Sequence, residues 1–204
     1  MDRTATLIKA IRAERGDNKV LLLDGGDTWQ GSYCSLKTQG ADMVAAMKAL
    51  KPDAMVGHWE FTLGKERVEE LIDEMGYPFL GSNCFDTEWD ERVFQSTAYF
   101  ERGGIKVAVI GQHFPYTPIA NPSHSIEGWS FGIRPDEIQS NIDEARDNGA
   151  EIIVLLSHNG FDVDQKLAAD ISGIDVILTG HTHDAVPEAI RIGKTLVLLS
   201  LIHI

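Results

Sequence analysis

Short apolar runs alternate along the chain with segments of helical spacing. The apolar runs predict strands at 20–23, 54–56, 79–80, 105–110, 152–156, 176–178 and 194–198. Apolar residues spaced three and four apart predict helices at 40–50, 66–75, 135–148 and 163–171. Strands that are apolar throughout are buried on both faces. The pattern therefore predicts an α/β fold with helices covering both sides of the sheet.

Metal-capable side chains follow four of the predicted strands. They are Asp27, His58, His158, and the pair His181 and His183. Because ligands of α/β folds gather outside the carboxyl ends of the strands, we expect these side chains to converge. Carboxylate and imidazole ligands together suit Mn, Zn or Fe better than an all-oxygen Ca or Mg site. His181 and His183 are two residues apart, so on an extended strand they would share a face.

Each of these loops also has a simpler interpretation. A single histidine after a strand is more often a hydrogen-bonded polar residue, and Gly-Asp after a strand is usually a turn. Four such loops within one α/β pattern nevertheless favour a metal site. His113 and Asn83 also follow predicted strands, but the sequence offers no partner for them. We interpret them as a loop histidine and a turn residue.

The charge balance limits the possible partners. The 204 residues carry 18 Lys and Arg against 31 Asp and Glu, a formal net charge of −13. A chain this acidic is not expected to bind nucleic acid, which usually requires a basic patch. No apolar run approaches the roughly 20 residues that cross a bilayer, so the sequence predicts no membrane span.

The two ends of the chain look unlike those of a whole domain. The first residues lack the basic and apolar regions of a signal peptide. The final apolar run continues to the last residue without a stop. We therefore expect residues 1–198 to be an incomplete catalytic domain and residues 199–204 to be a non-native tail, in which His203 has no functional role. A short native strand at this end is the alternative.

The four loops together resemble those of the calcineurin-like metallophosphoesterase superfamily, in particular its 5′-nucleotidase-like branch. The resemblance implies a four-layer α/β/β/α sandwich with two mixed β-sheets flanked by helices. It also implies two divalent metal ions, Mn or alternatively Zn, bridged by Asp27. The other implied ligands are His58, His158 and His181 for the second ion and His183 for the first. The family's opening Asp-x-His motif is absent, and we expect it upstream of Met1.

The second loop departs from the nucleotidase pattern. Residues 57–62 read Gly-His-Trp-Glu-Phe-Thr, where nucleotidases usually read Gly-Asn-His-Glu-Phe-Asp. Trp59 and Thr62 thus replace the phosphatase His-Asp pair, and His58 replaces an asparagine ligand. This loop, together with residues 26–32 and 114–118, is similar to the SoxB family, the thiosulfohydrolases of bacterial Sox sulfur oxidation.

The SoxB resemblance implies release of sulfate from a cysteine-bound thiosulfonate on a SoxYZ-like sulfur carrier protein in the periplasm. The metal pair of such an enzyme activates water and neutralises the sulfonate oxygens. The leaving group is a sulfur anion, which departs without much protonation. A general acid, worth about 10²–10⁴-fold in other hydrolases, is therefore nearly dispensable. We expect Asp27 and Trp59 at the reaction centre, with Trp59 either walling the pocket or serving as an ordinary core aromatic.

Further side chains near the ligands are expected to shape the site. Asp24, Glu60 and Asp184 flank ligands and are predicted to orient them through hydrogen bonds. Trp29 and Tyr116 are predicted to line the substrate pocket. Two other functions stay open. One is a 5′-nucleotidase-like phosphomonoesterase with an altered acid, and the other is a metal-binding domain without activity.

Overall fold

Helices and strands alternate through residues 2–199, which the computed structural model describes. The helices are α1 (Asp2–Arg15), α2 (Tyr33–Thr38), α3 (Ala41–Leu50), α4 (Lys65–Met75), α5 (Thr117–Ala120), α6 (Pro135–Asp147) and α7 (Phe161–Asp170). The strands are β1 (Leu23–Asp24), β2 (Ala54–Met55), β3 (Cys84–Asp86), β4 (Thr97–Arg102), β5 (Ile105–Gln112), β6 (Trp129–Phe131), β7 (Ile152–Ser157), β8 (Val176–Thr179), β9 (Ile190–Ile192) and β10 (Thr195–Leu199). Within these residues no helix combines the length and apolar character needed to cross a membrane.

The larger sheet has six strands in the order β4-β5-β7-β8-β10-β9. Four of them, β5, β7, β8 and β10, run parallel, while β4 and β9 are antiparallel edge strands. The parallel strands correspond to the apolar runs because both of their faces are covered. The strands predicted at 105–110 and 152–156 are confirmed. The apolar pattern does not predict β4, whose residues alternate between buried and solvent-facing positions.

The smaller sheet is built around β1 and β2. These strands pair in parallel, with Leu23 opposite Ala54. The predicted strand at 79–80 is reduced to two isolated parallel bridges, Phe79 with Met55 and Leu80 with Gln95. A further antiparallel pair joins β3 to β6. The described strands therefore form one extensive sheet, the small sheet of β1 and β2, and the separate pair of β3 and β6.

Two apolar cores lie on opposite faces of the larger sheet. Alternate residues of β5 and β7, such as Ile110 and Leu155, pack against α6 and α7. The residues between them, such as Val109 and Leu156, face the smaller sheet. This division follows from the two-residue repeat of a strand, which sends successive side chains to opposite faces.

A third core covers the far side of the smaller sheet. Ala54 of β2 faces the larger sheet, whereas Met55 points away and packs with Val44 of α3 and Leu71 of α4. Burying a side chain such as Leu71 contributes roughly 1.5–3 kcal/mol. The layers are therefore α6 and α7, the larger sheet, the smaller sheet, then α3 and α4. This order confirms the predicted α/β/β/α sandwich.

The carboxyl ends of β1, β2, β7 and β8 open on the same side of the sandwich. The site therefore lies between two sheets, whereas the sequence pattern alone suggests the edge of one. At the end of the described chain, β10 continues through Leu199. The rest of the predicted tail, residues 200–204, lies outside the described residues.

Candidate metal centre

Side chains from both sheets meet at a cleft of about 260 Å³. From the smaller sheet come Asp27, after β1, and His58, after β2. From the larger sheet come His158, after β7, and His181, after β8. These four predicted ligands lie together, as expected for residues at the carboxyl ends of strands.

The three histidines lie close enough to surround one metal ion. Each offers one ring nitrogen, and these nitrogens lie within 4.8 Å of one another. The ring centre of His58 is 4.9 Å from that of His158 and 4.9 Å from that of His181. A group of imidazole nitrogens beside a carboxylate is a donor set suited to transition metals.

The carboxylate of Asp27 connects two of these histidines. Its Oδ1 lies 3.1 Å from Nδ1 of His58, and its Oδ2 lies 3.4 Å from Nε2 of His158. Burial alone would raise the pKa of Asp27, but His158 and His58 outweigh burial and hold that pKa well below its usual range. The carboxylate is therefore charged, and each of its two oxygens faces a different histidine.

His158 is held in the tautomer that a metal ligand needs. Its Nδ1 lies 2.5 Å from the carbonyl oxygen of Gly25, and because a carbonyl only accepts, Nδ1 must carry the proton. In the neutral ring the lone pair is therefore on Nε2, the nitrogen that lies 3.4 Å from Oδ2 of Asp27. Burial lowers the pKa of His158, but the neighbouring Asp27 carboxylate outweighs burial and raises it.

Three buried ring nitrogens at the centre make no well-aligned hydrogen bond with the described residues: both nitrogens of His58 and Nε2 of His158. Two of them, Nδ1 of His58 and Nε2 of His158, face the Asp27 carboxylate at 3.1 and 3.4 Å. Burial, together with the neighbouring His58, lowers the pKa of His181 to about 4, so this ring is neutral and keeps a lone pair. Buried polar atoms are nearly always satisfied by a partner. These unpartnered nitrogens fit the metal ion that the family resemblance implies.

The backbone of the ligand loops is strained. Asp27, His181 and His183 have φ angles of 63°, 82° and 55°, in the left-handed region that non-glycine residues seldom occupy. Each such residue costs on the order of 1–3 kcal/mol and tends to occur at functional sites. The strain shows that the surrounding packing, rather than local preference, sets the direction of these side chains.

Gly26 allows the two sheets to approach at the site. Its φ is 91°, and a Cβ at this position would lie 2.9 Å from the carbonyl oxygen of Val56 and 3.2 Å from Nδ1 of His158. A side chain here would therefore push the Asp27 loop away from His158. The glycine is needed for both its conformation and its size.

Glu60 ties the Asp27 loop to the His58 loop. Its carboxylate is fully buried and accepts four backbone N–H groups. The donors are Asp27 at 3.2 Å, Thr28 at 2.6 Å, Trp29 at 3.1 Å and His58 at 2.8 Å. Because two of these donors are the backbones of predicted ligands, the geometry agrees with the orienting role predicted for Glu60.

Asp24 lies beneath the turn that carries Asp27. Its Oδ1 accepts hydrogen bonds from the backbone N–H of Gly26 at 3.1 Å and from the hydroxyl of Thr28 at 2.8 Å. Burial raises the pKa of Asp24 to about 6, although the Thr28 hydrogen bond opposes the rise. Asp24 therefore supports the loop rather than a histidine directly.

His183 and Asp184 lie farther out than the sequence suggests. His183 is exposed at the rim of the cleft and does not belong to the group formed by the other three histidines. The idea that His181 and His183 share a strand face is wrong, because both have left-handed backbones in a loop. Asp184 is exposed and makes no hydrogen bond or ion pair within residues 2–199. The structure therefore does not place it to orient a ligand.

Trp29 does not line a substrate pocket, contrary to the prediction. Its side chain is fully buried, with its ring centre 5.7 Å from that of Phe79. Glu60 holds the backbone N–H of Trp29, and the hydroxyl of Ser35 donates to its carbonyl. These two hydrogen bonds hold the backbone of Trp29, and its ring turns into the core beside α3 and α4.

Trp59 and Tyr116 both reach solvent. Trp59 is 41% exposed and its ring centre lies 5.2 Å from that of His58, so the interpretation of Trp59 as a core aromatic is wrong. Tyr116 is 48% exposed but lines a neighbouring groove with Pro115 and Ile119. Of these two aromatic residues, Trp59 is therefore the one that lies beside the histidines.

Two residues next to the centre have no predicted role. Phe114 stacks its ring on that of His181, with ring centres 4.0 Å apart. His113 lies in the loop after β5, as predicted, but it is fully buried and accepts a hydrogen bond from the backbone N–H of Gly57. The available signal is their position directly after β5, the same position that identifies the ligands.

Comparison with known structures gives the class of fold. A calcineurin-like phosphoesterase from Bacillus subtilis superposes with a TM-score of 0.80 at 22% identity, covering 96% of this chain and 71% of that chain. A 5′-nucleotidase precursor from Thermus thermophilus gives 0.83 at 24% identity, covering 96% and 42%. No family model matches the sequence. The fold is that of the calcineurin-like phosphoesterases.

A more specific likeness is to a sulfur enzyme. Sulfate thiohydrolase SoxB from Thermus thermophilus superposes with a TM-score of 0.93 and is 41% identical, over 97% of this chain and 37% of that chain. Snake venom 5′-nucleotidase from Crotalus adamanteus is 31% identical over 190 residues, which are 89% of this chain and 31% of the venom protein. The chain spans about a third of the length of these relatives. The resemblance to SoxB within the 5′-nucleotidase-like branch is confirmed.

Proposed function

We propose that the chain forms the metal-binding part of a thiosulfohydrolase that releases sulfate from a cysteine-bound thiosulfonate. Water adds to the sulfonate sulfur, and the bond from that sulfur to the next sulfur breaks. The electron pair of this bond stays with the carrier as a persulfide or thiolate anion, while the two protons of water pass to solvent. The reaction is a hydrolysis and needs no oxidant.

The observation that carries the proposal is the pair of side chains at positions 59 and 62. Trp59 presents an exposed ring beside His58, and the hydroxyl of Thr62 donates to the carbonyl of Trp59 at 2.6 Å. Neither side chain can protonate a leaving group at neutral pH. A sulfur anion leaves without such help, whereas a phosphate ester would lack an acid worth about 10²–10⁴-fold.

The donor set supports a dinuclear centre. When bound, a pair of divalent ions would activate water and neutralise the sulfonate oxygens. His58, His158 and His181 together with Asp27 would hold one ion, while Asp27 and the rim residue His183 would hold part of the second. We propose Mn²⁺ for this mixture of carboxylate and imidazole, with Zn²⁺ as the alternative.

Trp59 would act on the substrate and on the carboxylate at once. Its backbone N–H donates to Oδ1 of Asp27 at 2.9 Å, which fixes that oxygen. Its exposed ring lies beside that of His58, where it would pack on the disulfide-like tail of an incoming cysteine adduct. A carrier-bound tail entering beside Trp59 would thus lie against an apolar wall.

We further propose that the substrate arrives on a SoxYZ-like sulfur carrier protein in the periplasm. The support is the 41% identity to a sulfate thiohydrolase SoxB over 97% of this chain. The acidic surface, with a net charge of −13, favours a protein-borne substrate over nucleic acid.

A 5′-nucleotidase-like phosphomonoesterase is the second candidate. It is favoured by the curated relatives, among them human 5′-nucleotidase at 29% identity over 200 residues. The same fold and the same histidines would serve either reaction. The two candidates differ in the need for a general acid, which Trp59 and Thr62 do not provide.

Comparing two substrates tests the proposal. The chain, loaded with Mn²⁺, is incubated with a thiosulfonate-loaded carrier or with AMP, and released sulfate or phosphate is measured. Sulfate release from the carrier alone supports the proposal, and the His58→Ala variant should abolish it. Phosphate release from AMP at a comparable rate would favour the nucleotidase. Metal binding without turnover of either substrate by the full-length protein would indicate an inactive metal-binding domain.

A further inference from the structure

The segment 112–114, which comprises the last residue of β5 and the two residues after it, contributes no metal ligand but touches the histidines. The ring of Phe114 stacks on His181, with ring centres 4.0 Å apart and planes inclined by 28°. The same ring lies 4.2 Å from that of His58. An aromatic side chain packed on two imidazoles restricts the directions in which both can turn.

The main chain of this segment is bonded to two ligand loops. The carbonyl of Gln112 accepts a hydrogen bond from the backbone N–H of His158 at 2.9 Å. The backbone N–H of Phe114 donates to the carbonyl of Gly57 at 3.2 Å. Because Gly57 immediately precedes His58, the end of β5 anchors loops from both sheets.

The side chain of His113 makes a second bond to the same glycine. Its Nδ1 accepts a hydrogen bond from the backbone N–H of Gly57 at 2.9 Å. The ring is fully buried in a cage of four phenylalanines, Phe61, Phe79, Phe94 and Phe131. Burial lowers the pKa of His113 to about 3, so the ring is neutral and Nδ1 keeps its lone pair. An imidazole is thus the hydrogen-bond acceptor inside an otherwise aromatic cage.

The position of His113 is fixed from two sides. A Cβ at Gly81 would overlap Nε2 of His113, so the absence of a side chain there makes room for the ring. Asn83 accepts a hydrogen bond from the backbone N–H of His113 at 2.9 Å and donates to its carbonyl at 2.8 Å. These contacts leave the imidazole little freedom other than to face Gly57.

We propose that His113 is a positioning residue of the metal site, whose Nδ1 holds the amide of Gly57 and so places His58 among the other ligands. The inference rests on the proposed metal site. A phenylalanine or leucine could fill the same cage but would leave the buried N–H of Gly57 without an acceptor. The imidazole therefore serves the direction of the loop rather than the packing of the core.

Binding of Mn²⁺ to the chain, measured by titration calorimetry, tests the role of His113. His113→Asn keeps an acceptor near the position of Nδ1, whereas His113→Leu has nearly the shape of asparagine and no acceptor. Loss of a partner behind a metal ligand usually weakens binding about 10–100-fold, and we expect this for the leucine variant. The asparagine variant should bind Mn²⁺ nearly as tightly as the wild type.

Phe94→Leu is the matched control, because it loosens the same cage and leaves the Gly57 hydrogen bond in place. Unfolding of each variant in urea separates lost stability from lost affinity. Equal Mn²⁺ affinities of the leucine and asparagine variants would overturn the role of His113, as would an equal loss in Phe94→Leu. A wild-type chain that binds no Mn²⁺ would overturn the metal site itself, and this inference with it.

A measurement without metal or substitution gives a second check. Amide hydrogen exchange of Gly57 in the wild-type chain should be slow, because Nδ1 of His113 holds this N–H in the interior. Fast exchange at Gly57, with slow exchange in β5 and β7, would overturn the proposal even if no variant folds.

Discussion

At the scale of single residues, buried charged groups rather than apolar contacts define the centre. Glu60 is a fully buried carboxylate that would be costly if unpaired, yet it accepts four backbone N–H groups. Hydrogen bonds to a charged acceptor are stronger than neutral ones, about 1.5–3 kcal/mol each. The loops that carry Asp27 and His58 are therefore held by one side chain that need not touch a metal ion.

Restoring the phosphatase pair should increase phosphomonoesterase activity. The double variant Trp59→His, Thr62→Asp places an imidazole and a carboxylate where the nucleotidase pattern has them. Since Trp59 is 41% exposed, the change should cost little stability. A positioned general acid contributes about 10²–10⁴-fold, so phosphate release from AMP should rise toward that range. Trp89→His, at a site 71% exposed, is the control. No gain in the double variant would count against the argument from the missing acid.

Metal binding should weaken as the pH falls through the pKa of His158. Burial lowers this pKa, but Asp27 outweighs burial and raises it above the ordinary 6.5. A proton on Nε2 excludes a metal ion, so the affinity for Mn²⁺ declines below the folded-state pKa.

The stability of the metal-free chain depends on pH in the opposite direction. The pair of His158 with Asp27 stabilises the fold fully below pH 6.5, and this contribution is lost as the pH rises through the folded-state pKa.

Two titrations check these signs between about pH 5 and 8, the range in which histidine changes charge. Mn²⁺ affinity should rise with pH, while the His158 contribution to the urea stability of the metal-free chain should fall. The contribution is isolated by comparison with His158→Gln. Trends of the same sign in both measurements would contradict the assignment of the proton to His158.

At the scale of elements, strand ends and the loops after them decide where the ligands lie. β1 and β2 are only two residues long, yet they hold Asp27 and His58 because both belong to the inner layer of the sandwich. The turn after β1 must then pass close to the loop after β7. This close approach requires a glycine at position 26, whereas position 25 has room for a side chain.

Gly26→Ala should weaken both the fold and the site, whereas Gly25→Ala should do neither. A Cβ at Gly26 would lie 2.9 Å from the carbonyl of Val56, and its φ of 91° disfavours alanine, while a Cβ at Gly25 meets no atom within 4 Å. We expect the first variant to lose about 1–3 kcal/mol of unfolding free energy and to bind Mn²⁺ more weakly. Urea unfolding and metal titration of both variants check this. Equal behaviour of the two variants would contradict the close packing at Gly26.

The sequence predicts the elements whose burial leaves a clear pattern and misses those set by tertiary contacts. The strands at 105–110 and 152–156 are visible because both of their faces are buried. By contrast, Trp29 and Trp59 look alike in sequence, yet one fills the core and the other faces solvent, since Glu60 sets the path of the backbone around both. The exposed position of His183 at the rim of the cleft is not predicted for a similar reason, because its left-handed backbone is imposed by its surroundings.

At the scale of the whole molecule, the candidate site joins two layers whose interface is largely apolar. The larger sheet supplies His158 and His181, and the smaller sheet supplies Asp27 and His58. The apolar layer between the sheets includes Val109 and Leu156 and extends toward the same loops. A ligand bound by both sheets must therefore stabilise the sandwich as a unit rather than one loop.

Addition of Mn²⁺ should raise the free energy of global unfolding, because the unfolded chain cannot bring ligands from both sheets together. At 100 times the dissociation constant, binding to the folded state alone adds about 2.7 kcal/mol. His58→Ala removes a ligand of the smaller sheet and His181→Ala one of the larger sheet, so either substitution should abolish most of the gain. His124→Ala, at an exposed position away from the cleft, should leave it intact. Urea unfolding with Mn²⁺ or with a chelator measures these differences. A gain that survives in only one ligand variant would show that the ion is held by a single sheet.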